Sequence, residues 1–144
     1  MDLLINIDVP NLDQGVAFYE QALGLTVTRR LGAEVVELSG LPVNVYLLQK
    51  PSGSIGAGAD PRRYDRHWTP VHIDLIVDDI EAALARAIAA GARAETEIRV
   101  NAWGKIAVLS DPFGHGFCLI QFLGRGYDEI ADLQPQPHPL ASSP

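Results

Sequence analysis

The sequence predicts an α+β fold made of two copies of one unit, a strand, a helix and then three strands. Three observations predict it. The run Leu4-Ile5-Asn6-Ile7-Asp8-Val9-Pro10-Asn11-Leu12 is repeated 68 residues later as His72-Ile73-Asp74-Leu75-Ile76-Val77-Asp78-Asp79-Ile80. Each run opens an amphipathic stretch that ends at a glycine, Asp13 to Leu23 before Gly24 and Glu81 to Ala90 before Gly91, where a helix end favours a residue that tolerates a left-handed backbone. Each helix is followed by segments rich in β-branched and aliphatic residues, separated by turn formers.

Taken in order, the first unit covers residues 1–50. Its opening strand alternates, so Leu4, Asn6 and Asp8 share one face. After the helix come strands over Leu25 to Leu31, Ala33 to Leu38 and Val43 to Gln49. Residues 51–70 read as a linker. Pro51 to Pro61 is loop-like and flexible by composition, and neither it nor the tail is expected to hold a catalytic group. Arg62-Arg63-Tyr64-Asp65-Arg66-His67-Trp68 is charged and aromatic. It is read either as a lid over a pocket, with His67 and Trp68 as its candidate residues, or as a solvated connection with one aromatic anchor.

The second unit covers residues 71–123. His72 and Asp74 share a face of its first strand; its later strands are placed over Ala94 to Val100, Lys105 to Ser110 and Gly116 to Leu123. Residues 124–144 form an extension: Gly124 to Ile130 packs on the sheet, and Gln134 to Pro144, with four prolines, is a frayed tail. The whole is expected to form one structural domain.

Composition bounds the function. A chain of 144 residues that is 47% hydrophobic can build a full core, and no apolar run reaches the ~18 residues a membrane span needs. A cytoplasmic protein with no membrane partner is expected. Formal net charge is -7, and Arg62, Arg63 and Arg66 make one small basic cluster; nucleic-acid binding leans on concentrated positive charge, so no such partner is expected. The single Cys118 cannot form an internal disulfide.

Val9-x-Asn11-Leu12, then Phe18-Tyr19 and Leu23-Gly24-Leu25, then His72 before Asp79, then Asp111-Pro112-Phe113-Gly114-His115 leading into a last strand, resembles the vicinal oxygen chelate superfamily over about residues 3 to 123. That superfamily includes glyoxalase I, extradiol dioxygenases, fosfomycin-resistance enzymes and bleomycin-binding proteins. The resemblance implies tandem βαβββ modules that curl into a cupped, incomplete barrel with the ligand site in the cup. It also implies four strand positions that hold a divalent cation in metal-dependent members. Here those positions fall on Leu4, Tyr46, His72 and Cys118, of which His72 alone is a standard ligand in its standard place. Leucine has no lone pair, and a catalytic cation generally needs three protein ligands. The expectation is therefore no resident cofactor, with a divalent metal at His72 as the alternative.

The candidate ligand-binding residues are Asn6, Tyr46, His72, Asp74, Trp103 and Cys118; no catalytic residue is assigned. His72 reads as a polar group on the cup floor or as a satisfied core histidine. Cys118 lies among Phe117, Leu119, Ile120 and Phe122 and reads as a buried, inert thiol rather than a nucleophile activated by His72. Trp103, at a turn, is the preferred aromatic wall, beside Tyr46, Trp68 and Phe113. His115 is read as a turn-stabilising residue. Two functions follow. The first is a glyoxalase/bleomycin-resistance-like protein that binds a small apolar or aromatic molecule in a metal-free cup. The alternative is a metal-dependent lyase, isomerase or dioxygenase that uses His72 with non-standard partners. An open sheet edge needs cover, so a homodimer is expected.

Overall fold

The structure, a computed structural model, describes residues 1–131; the predicted tail Gln134 to Pro144 lies outside them. The chain folds as the repeat predicts. In the first half β1 (Ile5–Val9) leads to α1 (Leu12–Leu23), then β2 (Thr26–Arg30), β3 (Val35–Ser39) and β4 (Val45–Gln49). After β5 (Ile55–Ala57) and β6 (Asp60–Pro61), the second half runs β7 (Ile73–Ile76), α2 (Ile80–Ala89), β8 (Arg93–Ala94), β9 (Arg99–Asn101), β10 (Gly104–Ser110) and β11 (Gly116–Phe122). A short 3₁₀ turn over Gly126–Glu129 follows.

The two sheets repeat one topology. The order β1-β4-β3-β2 is matched by β7-β11-β10-β8, with β9 also on β10. In each the first strand runs parallel to the last, β1 to β4 and β7 to β11, and the other pairs are antiparallel. Neither sheet closes into a barrel.

Both helices start with the same devices. Asn11 and Asp79 cap α1 and α2, each side chain accepting from a backbone N–H three residues on at 2.9 Å. Gln49 and Gln121, at the ends of the paired last strands, accept from Leu12 N at 2.9 Å and Ile80 N at 3.0 Å. Four of the N–H groups that a helix start leaves without an internal partner are thus satisfied. Gly24 ends α1 at φ 69, the left-handed cap that only glycine adopts without strain.

Alternation along the strands sends one face to the helices. Val9, Val36, Leu38 and Leu47 are fully buried in the first half, and Ala107, Leu109 and Leu119 in the second. Each large buried side chain contributes about 1.5–3 kcal/mol. The halves share one core. Phe18 meets Phe113 and Phe117 edge-on, with ring centroids 6.4 and 6.5 Å apart. Tyr19 donates its hydroxyl proton to Asp111 Oδ2 at 2.7 Å, and Arg86 Nε donates to Ala22 O at 3.0 Å.

Two expectations are corrected. The single strand over Ala94 to Val100 is split into β8 and β9, because Thr96 interrupts the ladder: its Oγ1 accepts the Val108 N–H at 3.1 Å that a neighbouring strand would otherwise take. Pro51 to Pro61 is no free loop. It holds the β5–β6 hairpin, which Arg62 secures by donating to Ile55 O at 2.5 Å and to Asp8 Oδ2 at 2.6 Å. Among the described residues no helix is long and apolar enough to cross a membrane.

Asp111 is 3% exposed and relies on Tyr19 for one carboxylate oxygen. Tyr19→Phe is expected to lower stability by about 1–3 kcal/mol, the cost of an unsatisfied buried acceptor. Urea unfolding followed by circular dichroism measures it; an unchanged midpoint would remove this bond from the account of the module junction.

Candidate functional site

On the face of the second sheet that turns away from α2 lie His72, Asp74 and Cys118. The parallel ladder sets Asp74 beside Cys118, and alternation brings His72, two residues back, to the same side. His72 Nε2 lies 3.2 Å from Asp74 Oδ1. One imidazole nitrogen, one carboxylate oxygen and the Cys118 sulfur all fall within 4.8 Å of one another. Burial first, and then the hydrogen bond to Asp74 and its charge, push the Cys118 thiol up to about 11. At neutral pH it stays protonated, as an inert thiol would.

A cavity of about 200 Å³ lies over His72 and Cys118, between the sheet and the strap Arg66–Thr69, whereas Asp74 lines neither it nor the larger cavity along the seam. Arg66 holds the strap down. Its guanidinium pairs with Glu95, donating from Nη2 to Oε2 at 3.1 Å, and donates to His67 O. It rests on Gly116, where a Cβ would come within 2.6 Å of Arg66 Nη2, so a side chain at 116 would push the arginine away. The Trp68 ring tilts at 45° over His72 with centroids 5.9 Å apart, although Trp68 is 68% exposed. His67 turns back on the strap, its Nδ1 3.0 Å from Asp65 O, and lines neither cavity.

A larger cavity, about 640 Å³, opens along the seam between β1 and β7. Leu4, Ile5, Ile7, Leu23, Leu25, Leu41, Val45, Ile73 and Leu75 make it mainly aliphatic, and Asn6, Asp8, His72 and His115 bring polar groups. Thr69, His72, Gly116 and Phe117 line both cavities, so the two form one groove with His72 where they meet. His115 braces the seam, its Nε2 2.7 Å from Asp8 O.

Tyr46 and Trp103 lie outside that groove. Tyr46 donates its hydroxyl proton to Glu37 Oε2 at 2.5 Å, and Trp103 packs on Phe122 and Tyr127 with centroids 6.4 and 5.1 Å away. Trp103 is therefore no wall of either cavity; the 3₁₀ turn supplies Tyr127 to cover it. Sequence reasoning missed Glu37, whose signal was a lone charge within the apolar run Val35-Val36-Glu37-Leu38. It is 6% exposed and accepts from Arg29 Nε and Nη2 at 3.0 and 2.8 Å, from Thr28 Oγ1 at 2.8 Å and from Tyr46. A bulge between Val27 and Arg29 lets both Thr28 and Arg29 reach it. Arg29, then Tyr46 and Thr28, hold the Glu37 carboxyl down to about 2.

The register also fixes which positions correspond. Asn6 pairs with Tyr46 as Asp74 pairs with Cys118, so Leu4 stands where the second half has His72. The four positions of a metal set shared between modules therefore carry Leu4, which has no donor, and Tyr46, whose proton is committed to Glu37. These residues do not fit such a set. The second half alone does offer three donors.

Comparison with known proteins gives one consistent answer. The family described as glyoxalase-like domain matches residues 4–120. A putative glyoxylase, CFP32, of Mycobacterium bovis is 31% identical over 112 residues, 76% of this chain and 39% of that protein. The chain spans 32% to 39% of the length of the curated relatives it matches. Among solved structures, a glyoxalase/bleomycin resistance protein/dioxygenase family enzyme from Burkholderia phytofirmans superposes with a TM-score of 0.64 at 20% identity, covering 83% of this chain and 97% of that one. The fosfomycin resistance protein FosX of Listeria monocytogenes gives 0.66 at 17% identity, covering 85% and 93%. At such identities these two structures speak for the fold alone.

The depressed Glu37 carboxyl sets a pH dependence. A group whose acidity rises on folding stabilises above its ordinary value and loses that contribution as pH falls through the folded value. Glu37→Gln is expected to be less stable than the wild type at neutral pH, with the gap constant above about pH 4.5 and narrowing as pH falls toward about 2. Paired denaturant titrations across that range test it; a gap that widens on acidification would contradict the assignment.

Proposed function

The chain belongs to the glyoxalase-like domain family, and from that premise we propose that it is a small-molecule-binding protein of the glyoxalase and bleomycin-resistance kind. The observation that carries the reading is the continuous groove, a large aliphatic cavity joined at His72 to a small one under the Trp68 strap. Ligand sites are concave and mainly apolar, with a few placed polar groups, in the size range of about 300–1,000 Å³. The aliphatic lining favours an apolar ligand with a short polar end over an extended planar aromatic one, since Tyr46 and Trp103 are engaged elsewhere. Apolar contact and hydrogen bonds from Asn6 and His72 would hold such a molecule without a metal.

Two copies of the chain are proposed to pair. Leu3, Leu4, Val71 and Ile76 are exposed apolar residues flanking or on β1 and β7, and each of those strands has a hydrogen-bonded neighbour on one side only. Cover by a second copy would remove both liabilities.

The test is saturable binding of apolar probes, read by Trp68 emission and by calorimetry. Leu75→Glu, which places a charge in the larger cavity, is expected to weaken binding by about tenfold or more, or at least ~1.4 kcal/mol, with the circular dichroism spectrum unchanged. Trp68→Phe should abolish the emission change and Trp103→Phe should keep it. Equal affinity in Leu75→Glu would move the ligand out of the groove. Sedimentation equilibrium checks the pairing; a monomer throughout would refute it.

A further inference from the structure

We infer that the polar end of the groove selects an uncharged hydrogen-bond acceptor, so that the ligand class is a neutral carbonyl compound, a ketone, ester or amide, on an aliphatic chain. Arg66 receives the acceptor, and Glu95 is the positioning residue that sets the charge preference through Arg66. The inference rests on the small-molecule reading of the groove and names its ligand class.

Placement carries the first half. The end of the Arg66 guanidinium lies over Gly116, where a Cβ would come within 2.6 Å of Nη2, 3.0 Å of Cζ and 3.1 Å of Nη1. Gly116 lines both the aliphatic cavity and the small one, so this end of the guanidinium sits where the two meet. Arg66 donates from Nε and Nη2 to Glu95 and from Nη1 to His67 O. Each Nη carries a second N–H, which no bond among the described residues takes. A tail beside Leu25, Val45 and Leu75 and a head at Gly116 thus occupy one continuous groove.

Charge balance carries the second half. Among the described residues the groove is lined by one carboxylate, Asp8, and one guanidinium, Arg66, and each is already matched. Arg62 Nε lies 2.6 Å from Asp8 Oδ2, and Glu95 pairs with Arg66. The hydrogen bonds from Arg66 hold the Glu95 carboxyl below its ordinary value, so Glu95 is ionised at neutral pH. Asp74 Oδ1, 3.2 Å from His72 Nε2, balances a proton on that ring. Glu95 and Asp74 line neither cavity, so a ligand meets N–H donors whose charge is cancelled by carboxylates outside its contact. A carbonyl oxygen accepts from such donors and adds no charge. A carboxylate would bring an unmatched negative charge into a mainly apolar groove near Glu95 and Asp74, which costs free energy. An ammonium would bring donors to a place that already holds donors.

The test compares methyl hexyl ketone, octanoate and octylammonium by calorimetry with the full chain at neutral pH. The ketone is expected to bind about tenfold tighter than either ion, because neither ion finds a counter-charge. Across methyl butyl, hexyl and octyl ketones each added methylene should tighten binding about fourfold, the worth of one buried CH₂. Arg66→Met keeps the stem but removes the N–H groups; it should weaken the ketone about tenfold and leave the methylene increment unchanged. Glu95→Gln leaves the guanidinium unbalanced and should strengthen octanoate about tenfold with little change for the ketone; a merely structural role for Glu95 would weaken both together. Circular dichroism checks that each variant is folded. Octanoate bound as tightly as the ketone by the wild type, or a ketone-to-octanoate ratio unchanged in Glu95→Gln, overturns the inference. If Leu75→Glu still weakens every probe in that case, the small-molecule reading stands without it; saturable binding of none of the probes overturns both.

Discussion

The buried carboxylate of Asp111 is the interaction on which the arrangement of the two halves depends. It accepts from the Phe113 and His115 N–H groups at 2.8 and 2.9 Å, which closes the turn into β11, and from the Tyr19 hydroxyl at 2.7 Å, which docks the helix of the other half. An isolated buried carboxylate would be costly, and three donors offset that cost. Burial and the Asp111 charge in turn hold the Tyr19 phenol well above its ordinary range. Phe18 follows Tyr19 into the junction and meets Phe113 and Phe117. One residue thereby sets the turn, the helix packing and the seam.

The groove is a consequence of that junction. The halves meet through their helices and through the β10–β11 turn, while β1 and β7 are not paired with each other. The unpaired seam leaves aliphatic residues facing a space that no neighbouring strand fills. The β5–β6 hairpin is pinned by Arg62 to Asp8, and the strap that follows it by Arg66 to Glu95. With Gly116 bare beneath Arg66, the strap lies close enough for Trp68 to reach His72. Polar and apolar groups meet in one channel because it runs along the unpaired edges of β1 and β7, where residues of both alternating faces line it.

The two concave faces have diverged from a common plan. In the second sheet the face carries three side chains that point their donor atoms at one another. In the first the corresponding region is closed by a satisfied anion, Glu37, with Arg29, Thr28 and Tyr46 directed at its carboxylate. A closed network of that kind rigidifies its surroundings and leaves little capacity for a ligand. The second face and the seam retain that capacity.

The duplicated unit, the glycine stop of α1 and the common face of His72 and Asp74 were all legible in the sequence. They rest on local rules, capping chemistry and the periods of helix and strand, which act over a few residues. Other features rest on pairs far apart in the chain. Glu37 meets Tyr46 only through the β3–β4 register, and Arg29 only through a bulge; Trp103 is taken by Tyr127 once the 3₁₀ turn folds back; and Asp74 reaches Cys118 across 44 positions, 118 less 74, through a parallel ladder. The sequence by itself determined the fold and the face on which each strand residue lies, because alternation and capping are local. Tertiary structure alone decided which faces close on themselves and which stay open, because that depends on strand register and on how the two halves dock.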